Sequence, residues 1–365
     1  MNTEKTNNDY QTNNCYTKTA VVILNWNGQK ILEEFLPSVI KNTTCIDTKI
    51  VVADNGSTDS SLEFVSENYP NVEQIILDKN YGFAEGYNRA LKQVNAKYFV
   101  LLNSDVEVSE NWLEPLIEYL DMHENVAACM PKILSYQQKT HFEFAGAAGG
   151  FIDKYGYPFC RGRILTKLEV DNKQYDTPIN VFWTAGACMI IRSEIFNSLN
   201  GFDESFFAHM EEIDLCWRIQ HAGYLLVCLP QSKVYHLGGG TLKTDNPRKS
   251  YLNFRNNLFM LVKNLPQKRF KRTITTRLFL DIMSAIVFLF TLRFSHFAAV
   301  LKAHFRFYKS MKTLLKKRKE ILETSKITDI TNVYNKSIVL KFFKSGKTLK
   351  FSKIVVNFIN LNHCN

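Results

Sequence analysis

The stretch VVADNGSTDSS, residues 51–61, has the pattern of a buried strand that turns directly into a helix. Its apolar start ends at Asp54, Asn55-Gly56 is typical of a tight turn, and Ser57 or Thr58 can cap the following helix. A strand followed by a helix is half of a βαβ unit, from which parallel sheets are built. The fold class therefore depends on whether neighbouring segments repeat this unit.

The same alternation of strand and helix patterns extends to both sides of this stretch. Apolar runs lie at 20–24, 49–53, 72–77 and 97–102, and helix-like stretches lie at 30–41, 59–68, 84–94 and 110–121. The alternation predicts an α/β fold with a mostly parallel sheet flanked by helices. Polar segments follow the predicted strands (NWNG, DNGSTD, DKNYGFAEG and NSD), and ligands bind at that edge of such sheets.

Composition is that of an ordinary globular protein. The chain has 365 residues, with 45% hydrophobic and 22% charged residues, which excludes a disordered chain and suggests about two domains. Eight cysteines are scattered without a CxxC pair, which argues against a zinc cluster and a disulfide framework and favours a cytosolic protein. The polar N-terminus has no apolar core of a signal peptide, so residues 1–17 are interpreted as a disordered leader.

The net charge of +10 belongs to one segment. Between Lys263 and Glu320 there are fifteen Lys or Arg residues against two acids. This excess predicts a negatively charged partner for that segment alone.

Two turns in the first half of the chain are candidate ligand sites. Asp54 can accept a hydrogen bond from a base N–H such as that of uracil, although a plain strand-to-helix turn explains the same residues. Gly82 and Gly86 indicate close backbone approach at a helix N-terminus that would favour a diphosphate. The pattern is neither GxGxxG nor GxxxxGK[ST], so a dinucleotide site and a phosphate loop are both disfavoured.

Three further features carry candidate chemistry. Asp105 follows an apolar strand and can ligate a hard divalent cation or cap the next helix, and His236 precedes three glycines. The segment FDESFFAHMEEIDLCWRI, residues 202–219, places five carboxylates among aromatic residues, and unpaired carboxylates are costly there. On a helix Asp214 pairs with Arg218, whereas Glu212 points about 100° away from Glu211. The cluster is therefore either a charged exposed face or a site with an inward-facing base.

In sequence order, VVILNWNG, DNGSTD, NYGFAEGYN, LLNSD, FDESFFAHMEEIDLCWR and YHLGG resemble the motifs of the family 2 inverting glycosyltransferases of the GT-A fold. The resemblance covers about residues 18–260 and is nearest to bacterial rhamnosyl- and galactofuranosyl-type transferases of surface polysaccharide assembly. It implies transfer of a sugar from a UDP- or dTDP-sugar to a hydroxyl of a saccharide or lipid-linked glycan.

The resemblance also implies roles for individual residues. A nucleotide-sugar pocket would contain Asn25, Trp26, Asp54, Asn80, Gly82, Asn88, Asn103 and Ser104. Mg²⁺ or Mn²⁺ would be held by Asp105 and His236, with Asn103 as a weaker ligand because Asn replaces the first Asp of the family's DxD motif. In the pair Glu211-Glu212, the second carboxylate would be the general base, with Glu in place of the usual Asp. Trp183 is either a platform for the acceptor sugar or a core aromatic.

The basic segment favours a membrane surface. The apolar run 278–292 is shorter than the ~20 residues needed to cross a bilayer, so an interfacial helix pair is expected, with a core helix or a dimer interface as the alternative. We therefore expect a cytoplasmic protein, peripheral on the inner membrane, without a nucleic-acid partner. An oligomer is compatible with the sequence.

These patterns divide the chain into four parts. The leader 1–17 precedes a GT-A domain at 18–260, with a nucleotide-binding half at 18–130 and an acceptor and catalytic half at 131–260. A basic amphipathic helical region follows at 261–322, and a small β-rich appendage at 323–365 completes the chain.

Three other functions are alternatives to a glycosyltransferase of this type. A nucleotide-sugar pyrophosphorylase lacks support because the first strand is not followed by a GxGTR-like segment. A non-enzymatic basic protein that binds membranes or nucleic acid would leave the polar strand ends incidental. A transferase that uses a polyprenyl phosphate directly as acceptor is the nearest alternative.

Overall fold

The computed structural model describes residues 16–238, 246–327, 330, 332–354 and 358–359. The predicted leader lies outside these residues except for Tyr16 and Thr17, and so do Gly239 and Gly240 of the three-glycine segment. All statements below concern the described residues.

The strands, in chain order, are β1 (Thr17–Asn25), β2 (Thr48–Asp54), β3 (Glu73–Ile76), β4 (Ala96–Asn103), β5 (Val106–Val108), β6 (Val126–Ser135), β7 (Gly150–Asp153), β8 (Pro158–Cys160), β9 (Arg163–Ile164), β10 (Lys167–Leu168), β11 (Ile179–Asn180), β12 (Cys188–Arg192), β13 (Leu225–His236), β14 (Val333–Tyr334) and β15 (Phe358–Ile359).

The helices are α1 (Gln29–Asn42), α2 (Ser61–Asn68), α3 (Gly82–Leu91), α4 (Glu114–Met122), α5 (Ser193–Ser198), α6 (Glu211–His221), α7 (Pro247–Asn264), α8 (Gln267–Phe290), α9 (Phe294–Glu323) and α10 (Ile338–Lys344). Each of the four strands and four helices expected in the first 130 residues is present, with boundaries shifted by a few residues.

The main sheet has the order β11-β13-β6-β12-β4-β1-β2-β3, and β5 pairs with β13 beside it. Strands β4, β1, β2 and β3 are mutually parallel, whereas β12 runs antiparallel to both β4 and β6. The sheet is therefore parallel in its first half and mixed in its second. Residues 20–23 and 99–102 are almost completely buried, which explains why these strands are continuous apolar runs.

A second, smaller sheet contains the C-terminal segment. Its order is β10-β9-β8-β7-β14-β15, so β14 and β15 extend a sheet built by residues 150–168. The Asp153 carboxylate accepts the backbone N–H of Ile338, and Phe351 is 2% exposed against this sheet. The expected β-rich appendage is thus a mixed segment with one helix and two-residue strands, and it packs into the acceptor half.

One sequence expectation on strand extent is corrected by the structure. Of residues 181–192, only Cys188–Arg192 form a continuous strand, because the pairing of Phe182 and Trp183 with β7 is limited to an isolated bridge at Gly150.

Helices α8 and α9 form the basic helical region expected at 261–322, and α7 leads into it. Most of the predicted run 278–292 is the second half of α8, a single longer helix that ends at Phe290. Within it Asp281 is fully buried and accepts from Arg277 Nε at 2.9 Å, with His304 Nε2 of α9 3.4 Å away. This buried ion pair fixes which face of α8 points inward.

Candidate active site

The turns after β1 and β2 are joined through Asp54. Asn25 Nδ2 donates to Asp54 Oδ1 at 3.1 Å, and the Ser57 backbone N–H donates to Oδ2 at 2.8 Å. Asn25 and Asp54 are each 1% exposed. Because a carboxylate has about four acceptor positions and two are used here, Asp54 can accept further donors, but both residues already shape the turns on which they lie.

Asn80 and Asn55 build the turn before α3. Asn80 Oδ1 accepts the Gly82 N–H at 2.8 Å, and Asn55 Nδ2 donates to the Gly82 carbonyl at 2.9 Å. The amide oxygen of Asn80 therefore accepts a hydrogen bond within its own turn, whereas the resemblance implies that Asn80 contacts the nucleotide.

Gly82 and Asn88 make contacts other than the nucleotide contacts expected from the resemblance. Gly82 has φ +77°, and a Cβ added there would lie 2.6 Å from the ring of Phe207. Asn88 Nδ2 donates to the Phe202 carbonyl at 2.8 Å, while its Oδ1 accepts the Phe202 N–H at 2.9 Å. Both residues therefore attach α3 to the segment that leads to α6, and the donor-binding role that the resemblance implies for each stays a prediction.

The two tryptophans expected at the site have opposite surroundings. Trp26 is 47% exposed beside Asn25, as a ring that packs against a base must be. Trp183 is 4% exposed, its Nε1 donates to the Phe151 carbonyl, and its ring covers Gly150, where a Cβ would lie 2.2 Å away. Trp183 is a core aromatic, and the acceptor-platform prediction is corrected.

Asp105 and His236 meet at the carboxyl end of β4. His236 Nε2 lies 3.2 Å from Asp105 Oδ1, and each residue is less than one-tenth exposed. Although burial would lower the pKa of His236, Asp105 and Glu143 outweigh burial and raise that pKa to about 10. Burial opposes ionisation of Asp105, but the imidazole holds the pKa of Asp105 below its ordinary value. Asn103 and Ser104 are half-buried in the turn just before Asp105.

This donor set fits a divalent cation shared with a diphosphate. Neighbouring ligand atoms on an octahedral ion with bonds of about 2.1 Å are about 3 Å apart, close to the separation of Nε2 and Oδ1 here. No group of three or more His, Cys, Asp or Glu residues suited to a metal ion is found in the described residues. Substrate phosphates commonly complete such a shell when the protein supplies only one or two ligands.

Glu211 and Glu212 begin α6 as an acidic pair, in which Glu211 is buried and Glu212 is half-buried. Burial raises the pKa of Glu212 to about 7. Burial, and after it the charge of Glu212, raises the pKa of Glu211 well above its ordinary value. Oε2 of each glutamate is buried without a hydrogen-bond partner in the described part of the chain. A carboxyl group held this way can exchange a proton near neutral pH.

The loop before α6 is strained and firmly held. Phe207, His209 and Met210 have φ of 66°, 69° and 73°, a region that non-glycine residues rarely adopt. Asn256 of α7 donates from Nδ2 to the carbonyls of Ala208 and His209 at 2.8 and 2.7 Å. Helix α7 therefore fixes the position at which α6, and with it the acidic pair, begins.

Two contacts connect the acidic pair with the Asp105 edge. A Cβ added at Gly186 would lie 3.9 Å from Cβ of Glu212, so the two residues pack together. The next residue, Ala187, accepts the backbone N–H of Asn103 at 3.0 Å. Asp105 and Glu212, which are 107 positions apart in sequence, therefore lie around the same end of β4.

A buried network of charged side chains links α6 to α7 and α9. Asp214 is fully buried and accepts from Arg218, Lys263 and Asn264 at 3.0, 2.7 and 2.8 Å. Lys263 also donates to Asp203, which is bonded in turn to Lys317 of α9. Burial alone would raise the pKa of Asp203, but Lys263 and Lys317 hold it well below its usual range. The predicted Asp214–Arg218 pair is present and structural.

Sequence reasoning missed two contributors to the site. Glu143 contacts His236, and Asn256 holds the strained loop. Glu143 lies in an irregular segment without a motif, so no sequence signal marked it. Asn256 lies in the Arg-Asn-Asn run of α7, and its polarity in an apolar helix was a usable signal.

Comparison with known proteins is consistent with this geometry. Residues 20–199 match the family model for "Glycosyl transferase family 2". The N-acetylglucosaminyl-diphospho-decaprenol L-rhamnosyltransferase of Mycobacterium tuberculosis is 25% identical over 230 residues, which cover 59% of this chain and 75% of that protein. The rhamnosyltransferase WbbL of Escherichia coli K12 is 25% identical over 213 residues, or 56% of this chain and 79% of that protein.

Among solved structures, GalNAc-T7 with UDP, GalNAc and Mn²⁺ superposes with a TM-score of 0.53 at 18% identity. The match covers 70% of this chain, which spans about half (49%) of that structure's chain. This likeness supports the fold: a central sheet flanked by helices, as expected from the sequence.

Proposed function

The chain is a family 2 glycosyltransferase of the GT-A fold, related to rhamnosyltransferases, and on that premise we propose that Glu212 is the general base of an inverting transfer. The donor would be a UDP- or dTDP-sugar and the acceptor a hydroxyl of a saccharide or lipid-linked glycan. The M. tuberculosis relative is named for a lipid-diphosphate-linked acceptor, which supports a similar acceptor class here.

One observation carries this proposal: a buried carboxylate with a raised pKa and an unpartnered oxygen begins α6 beside the Asp105 edge. An acceptor hydroxyl is a poor nucleophile until a base within hydrogen-bond reach takes its proton. A base with a pKa near neutral can take this proton at physiological pH and still release it after transfer.

Residues of this chain would have the following roles in the reaction. Trp26 and the Asp54 turn would position the nucleotide at the ends of β1 and β2. Glu212 would take the proton of the acceptor hydroxyl as its oxygen attacks the anomeric carbon, and the nucleoside diphosphate would leave from the opposite face. One displacement of this kind inverts the anomeric centre. The strained loop and α7 would keep Glu212 in position throughout.

Divalent cation use is part of the proposal. Asp105 and His236, with Asn103 as a weaker ligand, would hold Mg²⁺ or Mn²⁺. When bound, such an ion stabilises the negative charge that develops on the leaving diphosphate. GalNAc-T7, which shares the fold, is described with Mn²⁺, and this supports the same type of ion here.

The roles of the two adjacent glutamates can be separated by replacing each with glutamine. Gln cannot take a proton, so Glu212→Gln removes the proposed base, whereas Glu211→Gln changes only its neighbour, whose charged form burial already disfavours by raising its pKa. We expect transfer to fall by at least a factor of 10² in Glu212→Gln and by less than tenfold in Glu211→Gln, in line with general base catalysis. Release of nucleoside diphosphate from a panel of nucleotide-sugars measures both.

Nucleotide affinity is the control for this experiment. Both variants should bind UDP or dTDP as tightly as the wild-type chain, because neither glutamate is placed at the nucleotide. Retained turnover in Glu212→Gln, or equal losses in both variants, would remove Glu212 as the base.

The second part of the proposal concerns α8 and α9 as a membrane surface. We define the apolar patch as exposed Phe279, Ile282, Ile286, Phe290, Leu292 and Phe294. Exposed Lys and Arg residues lie on the same two helices, among them Lys271, Arg272, Lys302 and Arg306. Helices that combine exposed apolar and basic residues suit the interface of a bilayer that contains anionic lipids.

An interfacial position suits α8 better than a membrane span or a core position. By length and composition α8 could cross a membrane, a weak test that core helices of soluble proteins also pass. Only 28% of its most apolar 18 residues are buried, which disfavours a core helix. The buried Arg277–Asp281 pair faces α9, so the helix already has a protein side and an open side. We propose a peripheral position on the cytoplasmic face of the inner membrane, without a nucleic-acid partner.

A further inference from the structure

On the side away from Asp105, the His236 ring contacts Glu143, a residue that belongs to no sequence motif. This contact suggests a role for Glu143. His236 Nδ1 lies 3.3 Å from Glu143 Oε2, while Nε2 lies 3.2 Å from Asp105 Oδ1. The imidazole is thus placed between two carboxylates, one at each ring nitrogen. The Nδ1 contact is a charge contact and not a well-aligned hydrogen bond.

We propose that Glu143 is a positioning residue that orients His236 to present Nε2 to a divalent cation. The proposal rests on the proposed function, because it assumes that Asp105 and His236 hold a cation. A histidine that binds a metal through one nitrogen carries its proton on the other, and a carboxylate there fixes the tautomer and the ring orientation.

The backbone at both ends of this contact is fixed. His236 ends β13, where it pairs with Val106 of β5 and Ser135 of β6. The Glu143 backbone N–H donates to the Ile133 carbonyl at 3.1 Å, and its side chain accepts the N–H of Ala145. Glu143 is 8% exposed, so neither partner can move far without disturbing the sheet.

Gly238 leaves space for the Glu143 carboxylate. Gly238 has φ +71°, and a Cβ added there would lie 2.9 Å from Glu143 Oε1. A side chain at this position would push Glu143 away from the imidazole. The described glycine of the three-glycine segment therefore leaves space for the Glu143 carboxylate, a more specific role than the general close approach expected from the sequence.

Glu143 acts through the imidazole and is not a third ligand. Its oxygen faces Nδ1, and the two ring nitrogens point to different sides of the ring, so an ion bound between Nε2 and Asp105 lies beyond reach of Glu143. Loss of the carboxylate should therefore weaken cation binding without removing a ligand. Such partners typically change metal affinity by about 10–100-fold.

The test is a Mn²⁺ titration of the full chain, followed by the electron paramagnetic resonance signal of free Mn²⁺. We expect Glu143→Leu to bind Mn²⁺ about 10–100-fold more weakly than wild type. Glu143→Gln, which keeps an oxygen acceptor without the charge, should fall between the two. Glu107→Gln removes a nearby surface charge that pairs with Lys139, and it should leave the affinity within about twofold of wild type, as expected for an exposed charge.

A double variant that also lacks the His236 imidazole distinguishes a positioning role of Glu143 from a general effect of Glu143 on the structure. His236→Ala should itself weaken Mn²⁺ binding, and Glu143→Gln added to it should change the affinity by less than twofold, because the residue through which Glu143 acts is absent. Equal Mn²⁺ affinity of wild type and both Glu143 variants, with loss in His236→Ala, would overturn the inference and leave the proposed function intact. A wild-type chain that binds no Mn²⁺, alone or with UDP or dTDP, would overturn both. Thermal unfolding identifies any variant that fails to fold, and Glu143→Gln, the smaller change, then decides the outcome.

Discussion

At the scale of single residues, the pair Glu211-Glu212 shows how neighbours in sequence acquire different tasks. Both begin α6 with a buried carboxylate oxygen, and burial raises the pKa of each. Glu212 packs on Gly186, near the end of β4 that Asp105 follows. Glu211 is a buried residue, with 4% of its surface exposed. The sequence indicated which of the two should be the base only through the family resemblance.

The raised pKa of Glu212 predicts a pH dependence of transfer. The base must be ionised, so the active fraction falls as the pH drops below its pKa of about 7. We expect log(kcat/KM) to rise by about one unit per pH unit below pH 7 and to level off above it. Initial rates from about pH 5.5 to 8.5 measure this profile.

The Glu211→Gln variant serves as the control for that profile. It should keep the same rising limb, since this substitution leaves Glu212, the proposed base, in place. A profile that is flat in the wild-type chain would be incompatible with Glu212 as the base.

At the scale of elements, α6 is held by α7 through charges that are fully buried. Asp214 accepts three donors, from Arg218 of its own helix and from Lys263 and Asn264 of α7. The pair Asp214–Arg218 was predictable from its i, i+4 spacing. The partners from α7 were not, because about fifty positions separate them from Asp214 and no local periodicity reports a contact at that distance.

Replacing Asp214 tests the importance of this network. Asp214→Ala removes the carboxylate partner of buried Arg218 and one of the two carboxylates bonded to Lys263, and breaking a buried pair in this way typically costs about 3–5 kcal/mol. We expect a loss of that size in the free energy of unfolding, measured by urea denaturation.

Glu204→Ala provides the matched comparison, as an exposed acidic residue of the same segment. Its effect on unfolding should stay within about 0.5 kcal/mol. Similar small losses in both variants would mean that Asp214 is not the centre of a supporting network.

At the scale of the whole molecule, the charge of the chain and its apolar patch coincide on α8 and α9. The sequence located the basic excess, and the structure adds that the apolar residues between the cations are exposed on one side of the helix pair. Exposed apolar patches of this kind are typical of interaction sites, and we propose a membrane surface as the partner.

A triple substitution of the patch tests the membrane proposal. Phe279→Ser, Phe290→Ser and Phe294→Ser together should lower binding to anionic vesicles at least tenfold, because each exposed Phe contributes apolar area to insertion. Raised salt should weaken wild-type binding, since the charges of the basic residues are screened. Vesicle sedimentation measures both effects.

Three exposed apolar residues in the nucleotide-binding half provide a matched control. Ile46→Ser, Ile76→Ser and Met122→Ser, at positions that are 93%, 66% and 70% exposed, should leave vesicle binding unchanged. If the patch variant kept full binding but changed from dimer to monomer, the patch would be a dimer interface and the membrane proposal would fail.

The sequence by itself determined the α/β class, the order of the first four strands and helices, and the strand ends at which polar residues gather. Local patterns sufficed, because apolar runs, turn residues and strand-to-helix spacing are set by neighbours within a few positions. The motifs also identified Asp105, Glu212 and His236 as candidate site residues. Their proposed roles stay predictions until the experiments above are done.

Tertiary structure alone decided which polar and aromatic residues face the site. Asn88 attaches α3 to the chain before α6, Trp183 lies in the core, and Glu143 reaches His236 from a segment without a motif. The C-terminal segment likewise joins the second sheet instead of standing apart. The physical reason is common to all four: a side chain's partner is determined by the packing of elements far apart in the sequence, and residue type and local spacing carry no record of that packing.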